Sequence, residues 1–536
     1  MHTSLALFAT LVPVLGSGAE PVHAVGGDPP NVLIILIDDL GPDQLVCYDR
    51  AHGIPGLAPG INHYDPQEPY PYPPTPNITQ IAREGVRFTR AFANPISSPS
   101  RASFQTGRYP FRNKIGTIVF ENGETVDGTP QQLDLDPCEL IIPEMFGAPS
   151  PYQLAFFGKW HLSRDDVISG NPGQFDGDAH PALMGWPFYK GLSRNPQSRP
   201  NPQLDPPTPN GELPGYFNWY EVTSDGVTTT RVLRREYVTT KQRKDVEEWI
   251  LAAEEDPSGD PWLAVWSATA AHSIWDWPPG GDGTLHSFGS EPPFAAGWLR
   301  YMAVIEALDT EIGNLRAALS EGPGETIWDR TLVMVVGDNG SDRVPMQLAD
   351  AQGISIGDYD PLQFKGTVYY AGTGVPLVVS GPEPQVTNRG TTEDELIDMV
   401  DFLDTIRDAC GLPTTVLNGI THDSRSFMPY LNGSPITARE DSLAMFFKPN
   451  GPFPPTAPGN VVRMGYARWV GTSLYRLIRT DLSGAGDEFY LLADAGGEVD
   501  PLEQAPLDVS QPPHQAPYQT VVAALQALLA NPASCP

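Results

Sequence analysis

The sequence predicts an α/β protein: a large domain on a mainly parallel central sheet, then a smaller domain with an antiparallel sheet. Three observations carry this. Residues 31–41, NVLIILIDDLG, and residues 330–341, RTLVMVVGDNGS, are β-rich runs apolar on both faces, as in central strands covered by helices. Between them, residues 297–320 place Leu299, Met302, Ile305, Leu308, Ile312, Leu315 and Leu319 on one helical stripe. Beyond about Glu440 the pattern changes to short strands, VVRMGYARWV, SLYRLIRT and EFYLLAD, with a final helix expected near residues 519–530.

The length of 536 residues suits a large domain plus a small one. The expected division is a signal peptide over 1–24, a catalytic domain over 25–440 and a smaller domain over 441–536. Lys plus Arg number 33 against 65 Asp plus Glu, a net charge of −32, which argues against nucleic acid and against an anionic membrane surface as partners. An anionic substrate would therefore be repelled at long range and has to be drawn in by local cations or a metal; salt would screen that repulsion.

The apolar run from Leu5 to Leu15, followed by small residues before Ala19 and Ala24, resembles a secretory signal, although its first part lacks Lys and Arg. It predicts a secreted or periplasmic protein; the plainer reading is a frayed apolar terminus. No later apolar run is long and uninterrupted enough to span a bilayer. Cys47, Cys138, Cys410 and Cys535 are scattered without a CxxC pair, which argues against a zinc knuckle. One or two disulfides suit an exported chain, and spacing does not fix their pairing.

Taken in order, the first strand ends in Asp38 and Asp39. Adjacent carboxylates at the carboxyl end of a buried strand repel each other unless a cation lies between them, which points to a hard metal; a polar strand exit is the alternative. Residues 53–74 are rich in Pro, Gly and Tyr and read as a long surface loop at the rim of the site. A helix with Ile78, Ile81 and Ala82 on one face and a strand with Val86, Phe88 and Ala91 then lead to residues 94–110, NPISSPSRASFQTGRYP. Here Ser97, Pro99 and Arg101 can bring a nucleophile to a helix start with a fixed cation beside it. An ordinary Ser/Pro loop capping a helix uses the same residues.

In residues 156–163, FFGKWHLS, an extended strand would turn Lys159 and His161 to one face, costly unless they meet anionic partners. Residues 163–230 show little periodicity and read as loops and substrate-shaping insertions, and a helix is expected near residues 241–255. The apolar run PWLAVWSATAAHSIWD reads as another strand ending at His272, a histidine that can be bonded inside a cluster of Trp262, Trp266, Trp275 and Trp277. The second buried strand ends in Asp338 and Asn339, repeating the oxygen-ligand logic of Asp38 and Asp39.

The Ser97-x-Pro99-x-Arg101 string reproduces the (Cys/Ser)-x-Pro-x-Arg signature of the type I sulfatases, and ASFQTGRYP resembles that family's ASLLTGRYP. The TPN-led helix at Thr75, GKWHL at 158–162 and FKGTVYYAGTGVPLVVSGP at 364–382 resemble further family segments in the family's order. In the last of these, Tyr370 and Ala371 stand where Glu-Gly is common and Gly374 replaces the usual arginine. ELIDMVDFLDTIRDACGL resembles the family's VDLLPTLLDLAG helix, HDSRSFMPYLNG its DGxSLLPLL turn, and EFYLLADAGGEVDPLEQAP its closing ELYDLxxDPxExxNL motif. The resemblance runs from Asn31 to about Pro506, and no internal repeat competes with it.

The resemblance implies an alkaline-phosphatase-like α/β/α sandwich and a sulfuric ester hydrolase. It further implies that Ser97 is converted after synthesis to formylglycine, an aldehyde that hydrates to a gem-diol. Asp38, Asp39, Ser97, Asp338 and Asn339 would bind one Ca²⁺ or Mg²⁺, the carboxylate count favouring Ca²⁺. Arg101 and Lys159 would assist the attacking oxygen, Lys365 and His272 would hold the sulfate, and His161 would take the proton that expels it. The implied partners are a sulfated small molecule or carbohydrate and a maturation enzyme; cysteine is commoner at the modified position, and serine versions resemble sulfatases matured by a radical-based enzyme. Two other classes use the same residues: a metal-dependent phosphatase or phosphodiesterase with an unmodified serine nucleophile, and an anion-binding homologue without turnover.

Overall fold

A computed structural model describes residues 29–48, 73–119, 125–126, 129–130, 134–163, 177–196, 214–280, 285–292, 297–417, 419–455, 460–495 and 497–531. The leader, most of the 53–74 loop and Cys535 lie outside them. In chain order the strands are β1 (Asn31–Ile37), β2 (Val86–Phe92), the short ribbon β3 (Thr125–Val126) and β4 (Thr129–Pro130), β5 (Gln153–Lys159), β6 (Tyr189–Leu192), β7 (Trp219–Ser224), β8 (Thr229–Arg234) and β9 (Trp262–Ala268). They continue with β10 (Thr331–Gly337), β11 (Gly374–Ser380), β12 (Thr391–Asp398), β13 (Asp441–Lys448), β14 (Val461–Val470), β15 (Ser473–Arg479), β16 (Glu488–Asp494) and β17 (Gly497–Glu498).

The large sheet has ten strands in the order β12-β2-β11-β10-β1-β9-β5-β6-β7-β8. Its middle, β10-β1-β9-β5-β6, is parallel throughout, and antiparallel pairs join β11, β7 and β8 at the flanks. Both faces are covered because alternate residues of β1 are apolar in both directions. Leu33, Ile35 and Ile37 pack with Ile78, Val246, Ile250 and Leu308, from helices Pro76–Glu84, Val238–Glu254 and Gly297–Leu319. Val32, Ile34 and Leu36 pack on the other side with Ala102, Phe104, Phe402 and Ile406, from helices Ser97–Thr106 and Phe402–Ala409. Each such side chain, fully buried, stabilises the fold by about 1.5–3 kcal/mol.

The smaller sheet, β13-β14-β15-β16-β17, is antiparallel, and helix Pro512–Leu529 packs on it through Val521 and Leu525. The same apolar cluster takes in Tyr109, Phe111 and Val400, so it joins the second sheet to the layer that carries helix Ser97–Thr106.

Several expectations need correction. The stretch 163–230 is not only loops: β6, β7 and β8 extend the large sheet. These are short flank strands; β8 alternates between half-buried and exposed residues, so it lacks the apolar signature of a central strand. Helix Gly297–Leu319 is buried all round from Tyr301 to Ala307, beyond a single stripe, because three other helices pack against it. The segment read as one helix after Glu395 is split: its start closes β12, a 3-10 turn over Met399–Asp401 follows under a capping box from Asp398, and the helix begins at Phe402. The last helix, expected near 519–530, starts earlier, at Pro512, and runs through Pro517 to Leu529. Cys47 and Cys410 are free buried thiols and Cys138 is disulfide-bonded.

Candidate active site

Parallel central strands put their carboxyl ends on one edge of the sheet, and the candidate residues gather there. Asp38 and Asp39 follow β1, Lys159 ends β5, His272 lies four residues past β9, and Asp338 and Asn339 follow β10. Register aligns them, since Ile37 pairs with Gly337 on one side and with Ala268 on the other.

Ser97 is the first residue of a ten-residue helix that is buried along its whole length. Its Oγ donates towards Asp38 Oδ1 at 2.9 Å and lies 3.4 Å from Asn339 Oδ1, while Lys159 Nζ approaches it to 3.4 Å. One turn on, Arg101 donates from Nη2 to Asp338 Oδ2 at 2.8 Å and from Nη1 to the Lys159 carbonyl at 2.9 Å. Lys159 Nζ donates to Asp38 Oδ2 at 2.6 Å, and Lys365 Nζ to Asp39 Oδ2 at 2.5 Å. Asn339 Nδ2 donates to Asp39 Oδ1 at 2.9 Å and to the Gly340 carbonyl at 2.8 Å, which turns its Oδ1 towards Ser97. His272 Nε2 lies 3.9 Å from Asp39 Oδ2.

Three of the four tryptophans, Trp262, Trp266 and Trp275, share one apolar cluster, and Trp275 Nε1 donates to the carbonyl of Ala271, next to His272, at 2.9 Å. Trp262 and Trp266 belong to the apolar core, Trp275 packs edge-on to Tyr301, and Trp277 packs against His286.

Lys159 and His161 do come near one another, but not as two residues on one face of a strand. β5 ends at Lys159 and His161 takes a left-handed backbone, φ 60°. It is held there by its own N–H, which donates to the Ser193 carbonyl, and by Ser98 Oγ, which donates to its carbonyl at 3.0 Å. His161 Nδ1 is buried without a protein hydrogen-bond partner.

The electrostatics follow from burial. Asp38, Asp39, Asp338, Asn339 and Lys159 have zero exposure. Burial opposes ionisation of Asp38, yet the charges of Lys159, Arg101 and Lys365 together hold its carboxyl well below the usual range. Burial wins at Asp39, whose carboxyl is raised, and at Asp338, pushed up to about 7 with a contribution from the neighbouring Asp38 charge. Desolvation likewise keeps both histidines neutral: His161 is well below its ordinary value, and His272 falls to about 3, helped by Lys365 and Lys159.

A hard cation fits these residues. The donors are oxygen-rich and buried, with Asp38 Oδ1, Asn339 Oδ1 and Ser97 Oγ converging, and the surrounding Lys and Arg leave Asp39 and Asp338 short of full compensation. Among the described residues, ligand atoms of Asp38, Asp39 and His272 lie within 4.8 Å of one another.

Sequence reasoning missed three supports. Ser267 Oγ donates to the Lys159 carbonyl at 2.6 Å and accepts from Arg101; a lone hydroxyl in the apolar run of β9 was the available signal. Tyr301 Oη donates to the Asp39 carbonyl at 2.6 Å, which fixes a residue at φ 56°. Ser98 ties the helix that Ser97 opens to His161. Nothing local in the sequence marks the last two. The departures at 370 and 374 explain each other: a Cβ on Gly374 would lie 2.8 Å from Tyr370 Cε2, so the bulky ring requires glycine there.

A family model described as Sulfatase matches residues 30–412. The chain is 25% identical over 444 residues to N-acetylgalactosamine-6-sulfatase of Canis lupus familiaris, covering 79% of this chain and 69% of that protein. It is 25% identical over 437 residues to arylsulfatase A of Homo sapiens, covering 79% and 71%. The crystal structure of Ps i-CgsB in complex with k-i-k-neocarrahexaose superposes with a TM-score of 0.63 at 17% identity, over 94% of this chain and 93% of that one. The fold is alkaline-phosphatase-like, and the chain belongs to the sulfatase family.

Proposed function

We propose that this sulfuric ester hydrolase acts on a sulfated carbohydrate, that Ser97 is converted to formylglycine, and that one Ca²⁺ or Mg²⁺ is held by Asp38, Asp39, Asp338, Asn339 and residue 97. The observation that carries this reading is the convergence on Ser97 Oγ of Asp38 at 2.9 Å and of Asn339 and Lys159 at 3.4 Å each. Relatives named for N-acetylgalactosamine-6-sulfate esters, and the neighbour bound to k-i-k-neocarrahexaose, support a carbohydrate. The leader supports export to the periplasm or the medium.

Conversion by a maturation enzyme removes two hydrogens from the Ser97 side chain, and the hydrated aldehyde supplies a second hydroxyl. Bound metal lowers the cost of negative charge on oxygen at this position. Arg101, paired with Asp338, and Lys159, paired with Asp38, fix positive charge on either side of residue 97. Lys365 and His272, both facing Asp39, hold the sulfate oxygens while sulfur is attacked, and the protonated Lys365 gives the leaving alcohol its proton. His161, kept neutral by burial and with Nδ1 unengaged, takes the proton of the second hydroxyl as sulfate departs.

Mass spectrometry of the tryptic peptide spanning residues 91–101, from protein made in its native host, tests the modification. A peptide lighter by two hydrogens supports it. An intact serine in an enzyme that still turns over overturns it and favours direct attack by serine. Release of sulfate from sulfate esters far faster than phosphate from matched phosphate esters separates the reading from a phosphatase, and release of neither would mark an anion-binding protein.

A further inference from the structure

The second sheet reaches into the active site through one buried ion pair. Arg476 on β15 is 1% exposed, and its Nε lies 2.7 Å from Oε1 of Glu503, also 1% exposed. The further hydrogen bonds of both side chains run to residues 368–373. Arg476 Nη2 donates to the Val368 carbonyl at 2.8 Å and to Thr373 Oγ1 at 2.7 Å, and its guanidinium sits 4.6 Å from the centre of the Phe92 ring. Glu503 Oε2 accepts from the Tyr370 backbone N–H at 2.7 Å. The approach is close enough that a Cβ on Gly465 of β14 would meet the Val368 carbonyl oxygen at 2.4 Å and Arg476 Nη2 at 2.8 Å.

The stretch gripped in this way, residues 364–373, meets the segments that carry Asp39, Ser97 and Asn339. It carries Lys365, whose backbone N–H donates to the Ser341 carbonyl at 3.1 Å. Gly366 N–H donates to Pro95 at 2.8 Å and the Thr373 carbonyl accepts from Ala93 at 2.8 Å, both on the approach to Ser97. The Gly372 carbonyl accepts from Gly340 N–H at 3.1 Å, beside Asn339. Its own sequence lacks an acid at 370 and an arginine at 374; an arginine and an acid arrive instead from residues 476 and 503.

We infer that Arg476 and Glu503 are positioning residues for the sulfate ester reaction: they lock residues 364–373 so that Lys365 Nζ points at the sulfate. This rests on the role given to Lys365 above. A lone charge left here would be costly, so the informative variant removes both charges, Arg476→Met with Glu503→Leu, and with them the partners of the Tyr370 N–H and the Val368 carbonyl. It should remain folded, with a cooperative unfolding transition, while kcat/KM for 4-nitrophenyl sulfate falls roughly ten- to a hundredfold, mostly in kcat.

A double-mutant cycle assigns the route: in a Lys365→Ala background the same pair of substitutions should cost less than about threefold, because the group being positioned is gone. Thr373→Val, which removes one acceptor and leaves the ion pair, should show the same loss of effect on a smaller scale and serves if the double variant fails to fold. Full kcat/KM in the double variant, or an equal loss with and without Lys365, would overturn the inference while leaving the site reading intact. Full activity in Lys365→Ala alone would overturn both.

Discussion

Two regions of this protein bury full charges, and they do it for opposite ends. At the carboxyl edge of the large sheet, Asp38, Asp39 and Asp338 face Lys159, Lys365 and Arg101 in one crowded cluster beside Ser97. Between the sheets, Arg476 and Glu503 form a single pair whose spare atoms bond backbone and one hydroxyl. In the cluster the carboxylates shift apart: the neighbouring cations hold Asp38 down against burial, whereas burial, with the Asp38 charge added, pushes Asp338 up to about 7. The difference lies in what each meets: in the cluster Asp39 and Asp338 are short of compensating charge, which is where the proposed cation would act, whereas the pair spends its hydrogen bonds on the backbone of residues 368 and 370 and on one hydroxyl.

The largest expected effect breaks the cluster on the reactive side. Lys159→Ala removes the cation that lies 3.4 Å from Ser97 Oγ and 2.6 Å from Asp38 Oδ2. Loss of one such preorganised donor lowers kcat by roughly 100- to 1,000-fold. Steady-state kinetics on an aryl sulfate should show that loss in kcat; unchanged kcat would mean that the cluster is structural only. Chelation sharpens the same point: exhaustive EDTA treatment should abolish sulfate release and added Ca²⁺ or Mg²⁺ should restore it, with indifference to both counting against the proposed metal.

The pair is expected to matter for stability where the cluster matters for rate. Arg476→Met on its own leaves Glu503 buried without its cation and should cost about 3–5 kcal/mol in urea unfolding. A cost below 1 kcal/mol would show that water reaches the pair and that the two regions are not different in kind.

How much of this was legible beforehand follows from what sequence encodes locally. β1 and β10 announce themselves because seven consecutive buried residues leave no polar alternative, and the acids that end them mark the site directly. Ser97, Arg101, Lys159 and Lys365 lie in short segments whose spacing carries their meaning. β8 was illegible because one face is solvent-exposed, and His161 because its left-handed turn is imposed by bonds to Ser193 and Ser98 from other segments. Tyr301 and Arg476 were hidden for a further reason: each acts on residues more than 100 positions away, and a tyrosine in a helix or an arginine in a strand looks like any other.

A smaller effect separates the regions by pH. Burial raises the Glu503 carboxyl from 4.5 to about 7, against the pull of Arg476. The folded protein therefore holds this proton where the unfolded chain has released it. The resulting stabilisation is complete below pH 4.5 and is lost as pH rises through 7. Glu503→Gln, which keeps an acceptor for the Tyr370 N–H, should flatten the fall in melting temperature between pH 5 and 7 relative to wild type. An identical slope in both proteins would place the titration elsewhere.

The smallest effect concerns the surface that both regions share. A net charge of −32 makes the folded chain repel itself, and unfolding relieves part of that repulsion. Salt shortens the screening distance from about 10 Å at 0.1 M to about 3 Å at 1 M, so the exposed charges stop sensing one another while the buried cluster and pair, out of reach of counter-ions, do not change. The melting temperature should therefore rise by a few degrees over that range in wild type and by the same increment in the Arg476→Met, Glu503→Leu variant. If the increment shrinks in the variant, the ion pair is itself screened, and its burial between the sheets is incomplete in solution.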